Sequence, residues 1–236
     1  MAKRWLAGLL VLLGFWGIFG DIDPAWAYEY RQRHDPDGIG KFFLGREIAH
    51  YMGHLGAGWL ERSPREREER PNLLLDALNL LPTDSVVDLG AGTGYFSRRL
   101  AQRLPQGRVL AVDIQPEMLE ILQDLAAEQQ ITNIQPILGS ENDPHLPSHS
   151  VDVVLMVDAY HEFAYPQEMI QAIAQSLKPG GRAVLVEYRG ENIWLPIKKL
   201  HKMTLNQLRR EWESQGFHER TTLELLPDQH ITIFQL

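Results

Sequence analysis

The sequence predicts an α/β fold with a doubly wound, mostly parallel sheet and helices on both of its faces. Three observations predict it. Short, nearly continuous apolar runs alternate with helical segments over residues 85–187, and such alternation is typical of parallel strands joined by crossover helices. The first of these runs ends in the glycine-rich stretch Asp88-Leu89-Gly90-Ala91-Gly92-Thr93-Gly94. Two further apolar runs, joined at Pro227-Asp228, predict a terminal hairpin.

The core elements begin at residue 72. Strands are expected where β-branched and other apolar residues run together, and helices where apolar residues recur every three to four positions. The predicted strands are residues 85–89, 108–113, 134–138, 151–156 and 182–187. The predicted helices are residues 72–80, 95–104, 116–128, 167–176 and 204–214. The terminal hairpin consists of residues 221–226 and 230–235.

The region before the core has a weaker pattern. Residues 28–40 are polar and contain the turn-forming run Asp35-Pro36-Asp37-Gly38, which indicates an N-terminal arm. Residues 42–60 carry apolar residues at mixed helical spacing with three interrupting glycines, so we predict helix plus loop. Residues 61–70 hold four arginines and four glutamates, typical of a solvated, locally ion-paired helix start. The predicted parts of the chain are a leader over residues 1–27, an arm with a helical lid over 28–72, and a main domain over 73–236.

The composition favours some classes of protein and excludes others. The chain has 236 residues, of which 44% are hydrophobic and 23% charged, and this suits one globular domain with a full core. Its net charge of −8 argues against nucleic acid as a partner, because phosphate binding requires a basic surface. The sequence contains no cysteine, which excludes disulfides, thiolate metal sites and thiol chemistry.

The first 27 residues indicate where in the cell the protein is located. Lys3 and Arg4 precede an uncharged, mainly apolar run over residues 5–20, and the small-x-small pattern Ala25-Trp26-Ala27 follows. This layout is typical of a secretory signal peptide, and the run is shorter than the about 20 residues that span a bilayer. We therefore predict export to the periplasm or an equivalent extracytoplasmic space. The alternatives are membrane association through residues 5–20 as an anchor, and a buried apolar helix.

The glycine-rich stretch is the strongest functional signal. Glycines at 90, 92 and 94, directly before a helix, bring backbone N–H groups and a helix N-terminus close to a ligand. Asp113 ends the next strand, where a carboxylate can accept hydrogen bonds from both hydroxyls of a ribose. Its alternative role is to cap the helix that begins at Pro116. Dinucleotide-binding folds use a similar glycine loop, so the loop alone does not identify the ligand.

A third motif narrows the choice of ligand. The Asp-x-Gly-x-Gly-x-Gly loop and Asp113 occur together with the turn Lys178-Pro179-Gly180-Gly181 before the fifth strand. In this combination the chain resembles the class I S-adenosylmethionine-dependent methyltransferases, from about residue 73 to residue 236. The resemblance implies a Rossmann-like sheet of seven strands, to which the terminal hairpin gives one antiparallel strand. It also implies S-adenosyl-L-methionine as the cofactor.

Ligands of doubly wound sheets bind at the carboxyl ends of the strands, near the point where the strand order reverses. This rule and the resemblance together nominate cofactor-binding residues: Asp88, Gly90, Ala91, Gly92, Gly94, Tyr95, Asp113, Ile114, Ser140, Glu141 and Asp158. In the family the loop at Ser140 and Glu141 meets the adenine ring, although an aspartate more often comes first; a plain surface turn is the alternative. The positive sulfonium of the cofactor suits the acids Asp88 and Asp158.

The candidate catalytic residues follow the fourth strand. His161 titrates near neutrality and can take a proton from an acceptor hydroxyl or amine, and Asp158 or Glu162 can orient it. His161 and Asp158 are therefore the predicted catalytic residues. Alternatively, His161 caps the next helix or lines the pocket, because methyl transfer often needs only alignment of nucleophile, methyl carbon and sulfur. Three residues that end the fifth strand are expected to shape the acceptor pocket: Glu187, Tyr188 and Arg189.

Histidines and aromatic residues before the core raise two further questions. His50 and His54 are four residues apart, but no acid lies at ligand spacing with them, and His161-Glu162 lacks the second histidine of a zinc-protease helix. We therefore predict no metal. Residues 51–62 look like the N-terminal element of some uncharacterised bacterial methyltransferases, which predicts a lid with His54 or Trp59 facing the acceptor. The alternative is core packing of three residues: Met52, Leu55 and Trp59.

Together these patterns predict an S-adenosylmethionine-dependent methyltransferase that acts on a small or amphipathic acceptor. The alternative is an exported, non-catalytic module that retains the fold and binds a small ligand. A nicotinamide-dependent oxidoreductase is disfavoured by the acid before the glycines and by the Lys-Pro-Gly-Gly turn. The cofactor is made in the cytosol, so an exported enzyme would need a separate supply of it.

Overall fold

The computed structural model describes residues 28–236. The predicted signal peptide or anchor, residues 1–27, lies outside the described residues. Among residues 28–236, no helix is long and apolar enough to cross a membrane. The described part begins with a three-stranded sheet of β1 (Tyr28–Tyr30), β2 (Gly38–Phe43) and β3 (Arg46–Ala49).

The three-stranded sheet differs from the prediction of helix plus loop, which is wrong for residues 42–49. β2 and β3 pair antiparallel through the two-residue turn Leu44-Gly45, in which both residues have positive φ (47° and 90°). Such a turn matches the twist of the strands it joins. It closes a hairpin in which Phe42, Phe43 and Ile48 are buried. A buried hairpin therefore accounts for this apolar run.

The first described residue ties the small sheet to the main domain. The hydroxyl of Tyr28 donates a hydrogen bond to Glu168 and accepts one from the Gln167 N–H (3.2 Å). The Tyr28 ring lies 5.6 Å from the Phe43 ring, and Lys41 Nζ lies 3.9 Å from the Tyr28 ring centre. β1 is thus held both by its partner strand and by a helix of the core.

Short helical segments connect the small sheet to the core. They are a 3₁₀ turn (His54–Gly56), α1 (Ala57–Leu60), α2 (Arg65–Glu69) and α3 (Pro71–Ala77). α3 corresponds to the helix predicted over residues 72–80. The charged run forms local ion pairs as expected, but it is not solvated throughout. Arg65 and Glu69 are buried, and Arg65 Nε lies 2.6 Å from Glu69 Oε2.

The main sheet has seven strands, and its architecture confirms the predicted fold. They are β4 (Ser85–Leu89), β5 (Arg108–Asp113), β6 (Ile134–Leu138), β7 (Val151–Val157), β8 (Leu177–Tyr188), β9 (His218–Leu223) and β10 (Gln229–Gln235). Their order is β6-β5-β4-β7-β8-β10-β9. β10 runs antiparallel to β8 and β9, and the other neighbouring pairs are parallel. The order reverses between β4 and β7, which places a crevice at their carboxyl ends.

Helices cover both faces of this sheet. The core helices are α4 (Tyr95–Arg103), α5 (Pro116–Glu128), α6 (Pro166–Ser176) and α7 (Leu205–Glu213). Successive strand residues belong to different buried clusters: Val86 packs with residues of α3 and α4, and Val87 with residues of α6 and α7. Val153 and Val154 divide in the same way. Burial of both faces explains why the strands are apolar almost without interruption.

The Lys-Pro-Gly-Gly turn lies inside β8 rather than before it. Leu177 pairs with Val151 and Arg182 pairs with Val153, so residues 178–181 bulge out of the ladder. Gly180 has φ +80°, a conformation that glycine adopts without steric cost. The motif is thus a bulge at the beginning of the fifth strand of the core.

Candidate functional site

A cavity of about 640 Å³ lies at the carboxyl ends of β4, β5, β7 and β8. Pockets that hold small molecules have volumes of roughly 300–1,000 Å³. The predicted site residues that line the cavity are Gly90, Gly92, Asp113, Ile114, Ser140, Glu141, Asp158 and His161. The predicted cofactor residues that lie outside this lining are Asp88, Ala91, Gly94 and Tyr95.

The glycine loop requires glycine for both backbone and spatial reasons. Gly90, Gly92 and Gly94 have φ values of 78°, 53° and 76°, in the left-handed region where a Cβ costs about 1–2 kcal/mol. A Cβ on Gly90 would lie 2.7 Å from Ala159 Cβ, and one on Gly92 would lie 2.6 Å from Leu60 Cδ1. The loop therefore passes closely between the end of β7 and the segment that contains α1.

Asp113 lines the cavity at the carboxyl end of β5. Its Oδ2 accepts a hydrogen bond from the Gly92 N–H (2.8 Å), and its Oδ1 accepts one from the Gln115 N–H (2.9 Å). Burial raises the pKa of Asp113, although these two backbone hydrogen bonds oppose the shift. The carboxyl group is thus fixed against the glycine loop, at the position predicted for ribose recognition.

Asp88 and Tyr95 support the loop from the protein interior. Asp88 is buried, and its Oδ2 accepts a hydrogen bond from the Ser97 hydroxyl (2.6 Å). Burial raises the pKa of Asp88 to about 6. The Tyr95 ring packs against the guanidinium groups of Arg65 and Arg99, which lie 4.2 and 3.6 Å from its centre. Cofactor contact by these residues remains a prediction.

The loop after β6 brings Ser140 and Glu141 to the cavity wall. Ser140 Oγ donates to Asn142 Oδ1 (3.0 Å) and to the Asp143 carbonyl oxygen (3.2 Å). A surface turn, the predicted alternative, is therefore present, and it places both side chains at the cavity.

Asp158 is a buried acid in a strained backbone conformation. It follows β7 directly and has φ +49°, which is uncommon for any residue but glycine. Its Oδ2 accepts a hydrogen bond from Gln229 Nε2 (2.7 Å), whereas Oδ1 is buried without a hydrogen-bond partner among the described residues. Burial raises the pKa of Asp158 well above its ordinary value, and the carboxylates of Glu69 and Glu187 raise it further. These effects favour the uncharged acid, which can donate a hydrogen bond.

His161 lies at the centre of a buried hydrogen-bond chain. Its Nδ1 is 2.7 Å from Oε2 of Glu187, which is fully buried, and its Nε2 is 3.1 Å from His201 Nδ1. Glu162 Oε1 lies 3.8 Å from His161 Nε2 and 3.5 Å from His201 Nδ1. Burial lowers the pKa of His161, but the carboxylates of Glu187 and Glu162 outweigh it, so the pKa lies above its ordinary value.

The predicted lid borders the cavity. Gln115 Nε2 donates to the Met52 carbonyl oxygen (3.0 Å), and Gln115 Oε1 accepts from the His54 N–H (2.8 Å). Trp59 lines the cavity, whereas His54 is not among the lining residues. Leu55 is 93% exposed, so the core-packing alternative is wrong for this residue.

A buried ionic cluster lies beside Asp158. Glu69 Oε2 accepts from Arg65 Nε (2.6 Å), and Glu69 Oε1 accepts from Arg62 and from the Tyr188 hydroxyl (3.2 Å). All four residues of the cluster line the cavity. Burial raises the pKa of Tyr188, as does the nearby Asp158, and this favours the neutral phenol.

Two residues of the site, His201 and Glu69, are absent from the residues predicted from the sequence. His201 lies in a 3₁₀ turn (Lys199–His201) after β8, 40 residues from His161 along the chain. The signal that could have found it is topological, because loops that follow parallel strands meet at one edge of the sheet. Glu69 belongs to a run of alternating charges, and nothing in that run indicates which acid is buried.

Comparison with known proteins identifies the kind of domain. Residues 86–181 match a family model described as a methyltransferase domain. An uncharacterized methyltransferase of Mycobacterium bovis is 40% identical over 120 residues, which cover 50% of this chain and 46% of that protein. A ubiquinone/menaquinone biosynthesis C-methyltransferase of Burkholderia vietnamiensis is 27% identical over 126 residues, covering 53% of this chain and 51% of that protein.

A solved structure shares the fold. The crystal structure of an S-adenosylmethionine-dependent methyltransferase from Aquifex aeolicus has a TM-score of 0.74 at 19% identity, and covers 78% of this chain and 98% of that one. These likenesses show that residues 86–181 match a methyltransferase domain, and they confirm the predicted fold. The chain spans about half the length of the curated relatives that it matches.

Proposed function

Because residues 86–181 match a methyltransferase domain and the sheet has the matching fold, we propose that this protein is a class I S-adenosylmethionine-dependent methyltransferase that transfers a methyl group to a small or amphipathic acceptor. One observation carries the proposal. A single cavity joins Asp113 and the glycine loop at one end to His161 and Tyr188 at the other. Cofactor and acceptor would therefore meet inside it.

The residues of the first end fit the cofactor. Asp113 is fixed by two backbone N–H groups and can accept hydrogen bonds from ribose hydroxyls. Gly90 and Gly92 line the cavity without side chains. Ser140 and Glu141 supply polar groups at the cavity wall, where the family binds adenine.

When bound, S-adenosylmethionine supplies an electrophilic methyl carbon on a positively charged sulfur. The cavity walls would align the acceptor with that carbon, and alignment is the main requirement of an in-line displacement. Asp158, held by Gln229, would donate a hydrogen bond to the acceptor. The group of His161, Glu162 and His201 would activate the acceptor for loss of its proton.

The lining of the second end supports the proposed class of acceptor. Apolar and aromatic residues border this part of the cavity, namely Tyr51, Met52, Trp59, Phe163, Pro196 and Ile197. The polar groups of this part are the clusters around Asp158 and His161, together with His50 and the ion pair of Asp37 and Lys198. A molecule with an apolar body and one polar reacting end fits this distribution. The Burkholderia relative, named for ubiquinone and menaquinone biosynthesis, is consistent with such an acceptor.

We further propose that residues 1–27 export the protein as a cleaved signal peptide, with membrane anchoring as the alternative. The charged start, the apolar run and Ala25-Trp26-Ala27 support this proposal. Cell fractionation and N-terminal sequencing of the mature protein test it. A cytosolic protein that retains Met1 would overturn it.

Calorimetric titration of S-adenosylmethionine and S-adenosylhomocysteine into the full-length protein tests the proposed function. We expect the wild type to bind both compounds with micromolar affinity. The affinity of Asp113→Ala should be lower by about tenfold or more, because a charged acceptor of hydrogen bonds is lost. Asp124→Ala removes an exposed acid of α5 and is the matched control. Equal affinity of the two variants would show that the cofactor site is misplaced. A folded protein that binds neither compound would support the non-catalytic alternative.

A further inference from the structure

We propose that His161, Glu162 and His201 form a binding site for one divalent transition-metal ion, such as zinc, at the acceptor end of the cavity. This departs from the expectation of no metal drawn from the sequence. The residues lie on two 3₁₀ turns that follow β7 and β8, Tyr160–Glu162 and Lys199–His201. Within the described part of the chain, their ligand atoms all lie within 4.8 Å of one another.

The distances between these ligand atoms fit a tetrahedral ion. Ligands that lie about 2.1 Å from a central ion are about 3.4 Å from one another in a tetrahedron. His161 Nε2 and His201 Nδ1 are 3.1 Å apart, and Glu162 Oε1 is 3.8 and 3.5 Å from these two nitrogens. Small side-chain adjustments would therefore complete three coordination bonds. Two imidazoles and one carboxylate form a known zinc-ligand set that leaves a fourth position open.

Glu187 supplies the outer hydrogen bond that metal-bound histidines need. Its Oε2 lies 2.7 Å from His161 Nδ1, and its Oε1 accepts a hydrogen bond from the His161 N–H (3.3 Å). The carboxylate is fully buried, so a neutral His161 that donates from Nδ1 to Glu187 would present its Nε2 lone pair towards His201. Such carboxylate–histidine pairs orient the ring and increase its basicity as a ligand.

Glu162 is also held in place as a ligand. Its Oε2 accepts a hydrogen bond from the Met52 N–H (3.4 Å), which leaves Oε1 facing the two imidazoles. Glu162 is 19% and His201 24% exposed in their side chains. The three residues all line the cavity, so an ion could reach the site and its open position would face the acceptor.

The charges around the site favour a cation. Glu187 and Glu162 bring two carboxyl groups to the pair of imidazoles. The neighbouring Arg46 donates to the His161 carbonyl oxygen, but its charge is paired with the buried Glu211. A divalent ion would balance the two carboxylates directly.

The role of the ion rests on the proposed function. An acceptor oxygen at the open position would release its proton to water in the cavity more readily, because a bound divalent ion lowers the pKa of its oxygen ligands. The ion-bound His161 and His201 would then orient the acceptor rather than take the proton. The competing explanation is a proton relay, in which His161 Nε2 and His201 Nδ1 share a hydrogen. In a relay, both histidines would function without any metal.

Titration of Zn²⁺ into chelator-treated full-length protein tests the site, and the visible absorption of the Co²⁺-loaded protein reports its coordination. We expect one equivalent of tightly bound ion in the wild type. His201→Gln and Glu162→Gln should weaken binding more than about 100-fold, and Glu187→Gln about 10- to 100-fold. His218→Gln, an exposed histidine on β9, is the matched control and should bind as the wild type does. Circular dichroism verifies that each variant is folded.

Two results would overturn the metal site. One is a folded wild type that binds neither ion; the other is equal ion affinity in His201→Gln and His218→Gln. Cofactor binding, measured on the same ion-free samples, separates this proposal from the proposed function. If S-adenosylmethionine binds and zinc does not, the metal site alone fails and the relay is favoured. If neither binds, both proposals fail.

Discussion

At the cofactor end of the cavity, backbone groups hold a side chain: Asp113 accepts hydrogen bonds from the N–H groups of Gly92, 21 residues away along the chain, and of its near neighbour Gln115. At the acceptor end, His161 is held by Glu187 and faces His201, which are 26 and 40 residues away along the chain. Backbone donors are positioned by the path of the chain alone. Contacts between two side chains also depend on how both of their elements pack.

This difference implies different sensitivities to substitution. The cofactor end should depend on backbone conformation and on space around the glycines. The acceptor end should depend on buried ion pairs between elements that are remote in sequence. Each expectation can be tested on the free energy of unfolding.

The largest effect is expected for Arg46→Ala. Arg46 Nε and Nη2 donate to both carboxylate oxygens of Glu211 (2.7 and 2.9 Å), and Nη1 donates to the His161 carbonyl oxygen (3.0 Å). Removal of the arginine leaves the fully buried Glu211 without its cation, which costs about 3–5 kcal/mol. Urea denaturation at pH 7 measures the loss. Arg209→Ala, which breaks a partly exposed pair with Glu219, is the control and should cost less than about 1 kcal/mol.

Equal losses in the two arginine variants would contradict the dependence of the acceptor end on buried pairs.

The next effect concerns Asp88 and the pH dependence of stability. Its pKa in the folded protein is about 6, against an ordinary value of 3.8. Below about pH 4 the group is protonated in both folded and unfolded states. Between about pH 4 and about pH 6 the unfolded chain ionises Asp88 while the folded protein keeps it protonated, so the stability falls as the pH rises. The wild type should therefore lose about 3 kcal/mol of stability over this range. Asp88→Asn stays neutral and should be spared this loss.

The measurement is the difference in unfolding free energy between Asp88→Asn and the wild type at pH 4 and pH 7. Between pH 4 and pH 7, the unfolding free energy of Asp88→Asn should rise by about 3 kcal/mol relative to that of the wild type. The control, Asp124→Asn on the exposed side of α5, should show little change. A difference that is constant with pH would rule out the raised pKa.

The smallest effect compares two glycines with the same backbone conformation. Gly90 and Gly180 have φ values of 78° and 80°, so alanine is strained at both by about 1–2 kcal/mol. A Cβ at Gly90 would meet Ala159 Cβ at 2.7 Å, whereas a Cβ at Gly180 has no other atom within 4 Å. Gly90→Ala should therefore destabilise the protein by about 1–3 kcal/mol more than Gly180→Ala. Equal urea midpoints of the two variants would show that crowding around the loop does not affect the free energy of unfolding.

The strands of the main sheet were predictable because a strand that is buried on both faces consists of consecutive apolar residues. The predicted bounds of the strands at 85–89, 108–113 and 134–138 coincide with β4, β5 and β6. The hairpin of β2 and β3 was not predictable from apolar spacing, because its register depends on the positive φ of Leu44, which is rare for leucine. A helix and a buried hairpin give similar apolar spacing over so short a run.

Some residues of the candidate site could likewise be located from the sequence, and others could not. The apolar strand pattern located Asp113, because this acid ends the predicted strand 108–113. His201 and Glu69 could not be located, since their positions result from packing between segments far apart in the sequence. Asp88 shows a further limit: a motif acid can lie at the expected strand end and still bond inward to Ser97.

The anchoring of Tyr28 has a consequence for the order of maturation. Cleavage after Ala27 would act on the bond next to a residue that is already paired with Phe43 and hydrogen-bonded to Glu168 in the folded domain. Proteases act on exposed, unpaired chain. If the leader is removed at this bond, removal must therefore precede the docking of β1, and a domain that folds first would keep its leader.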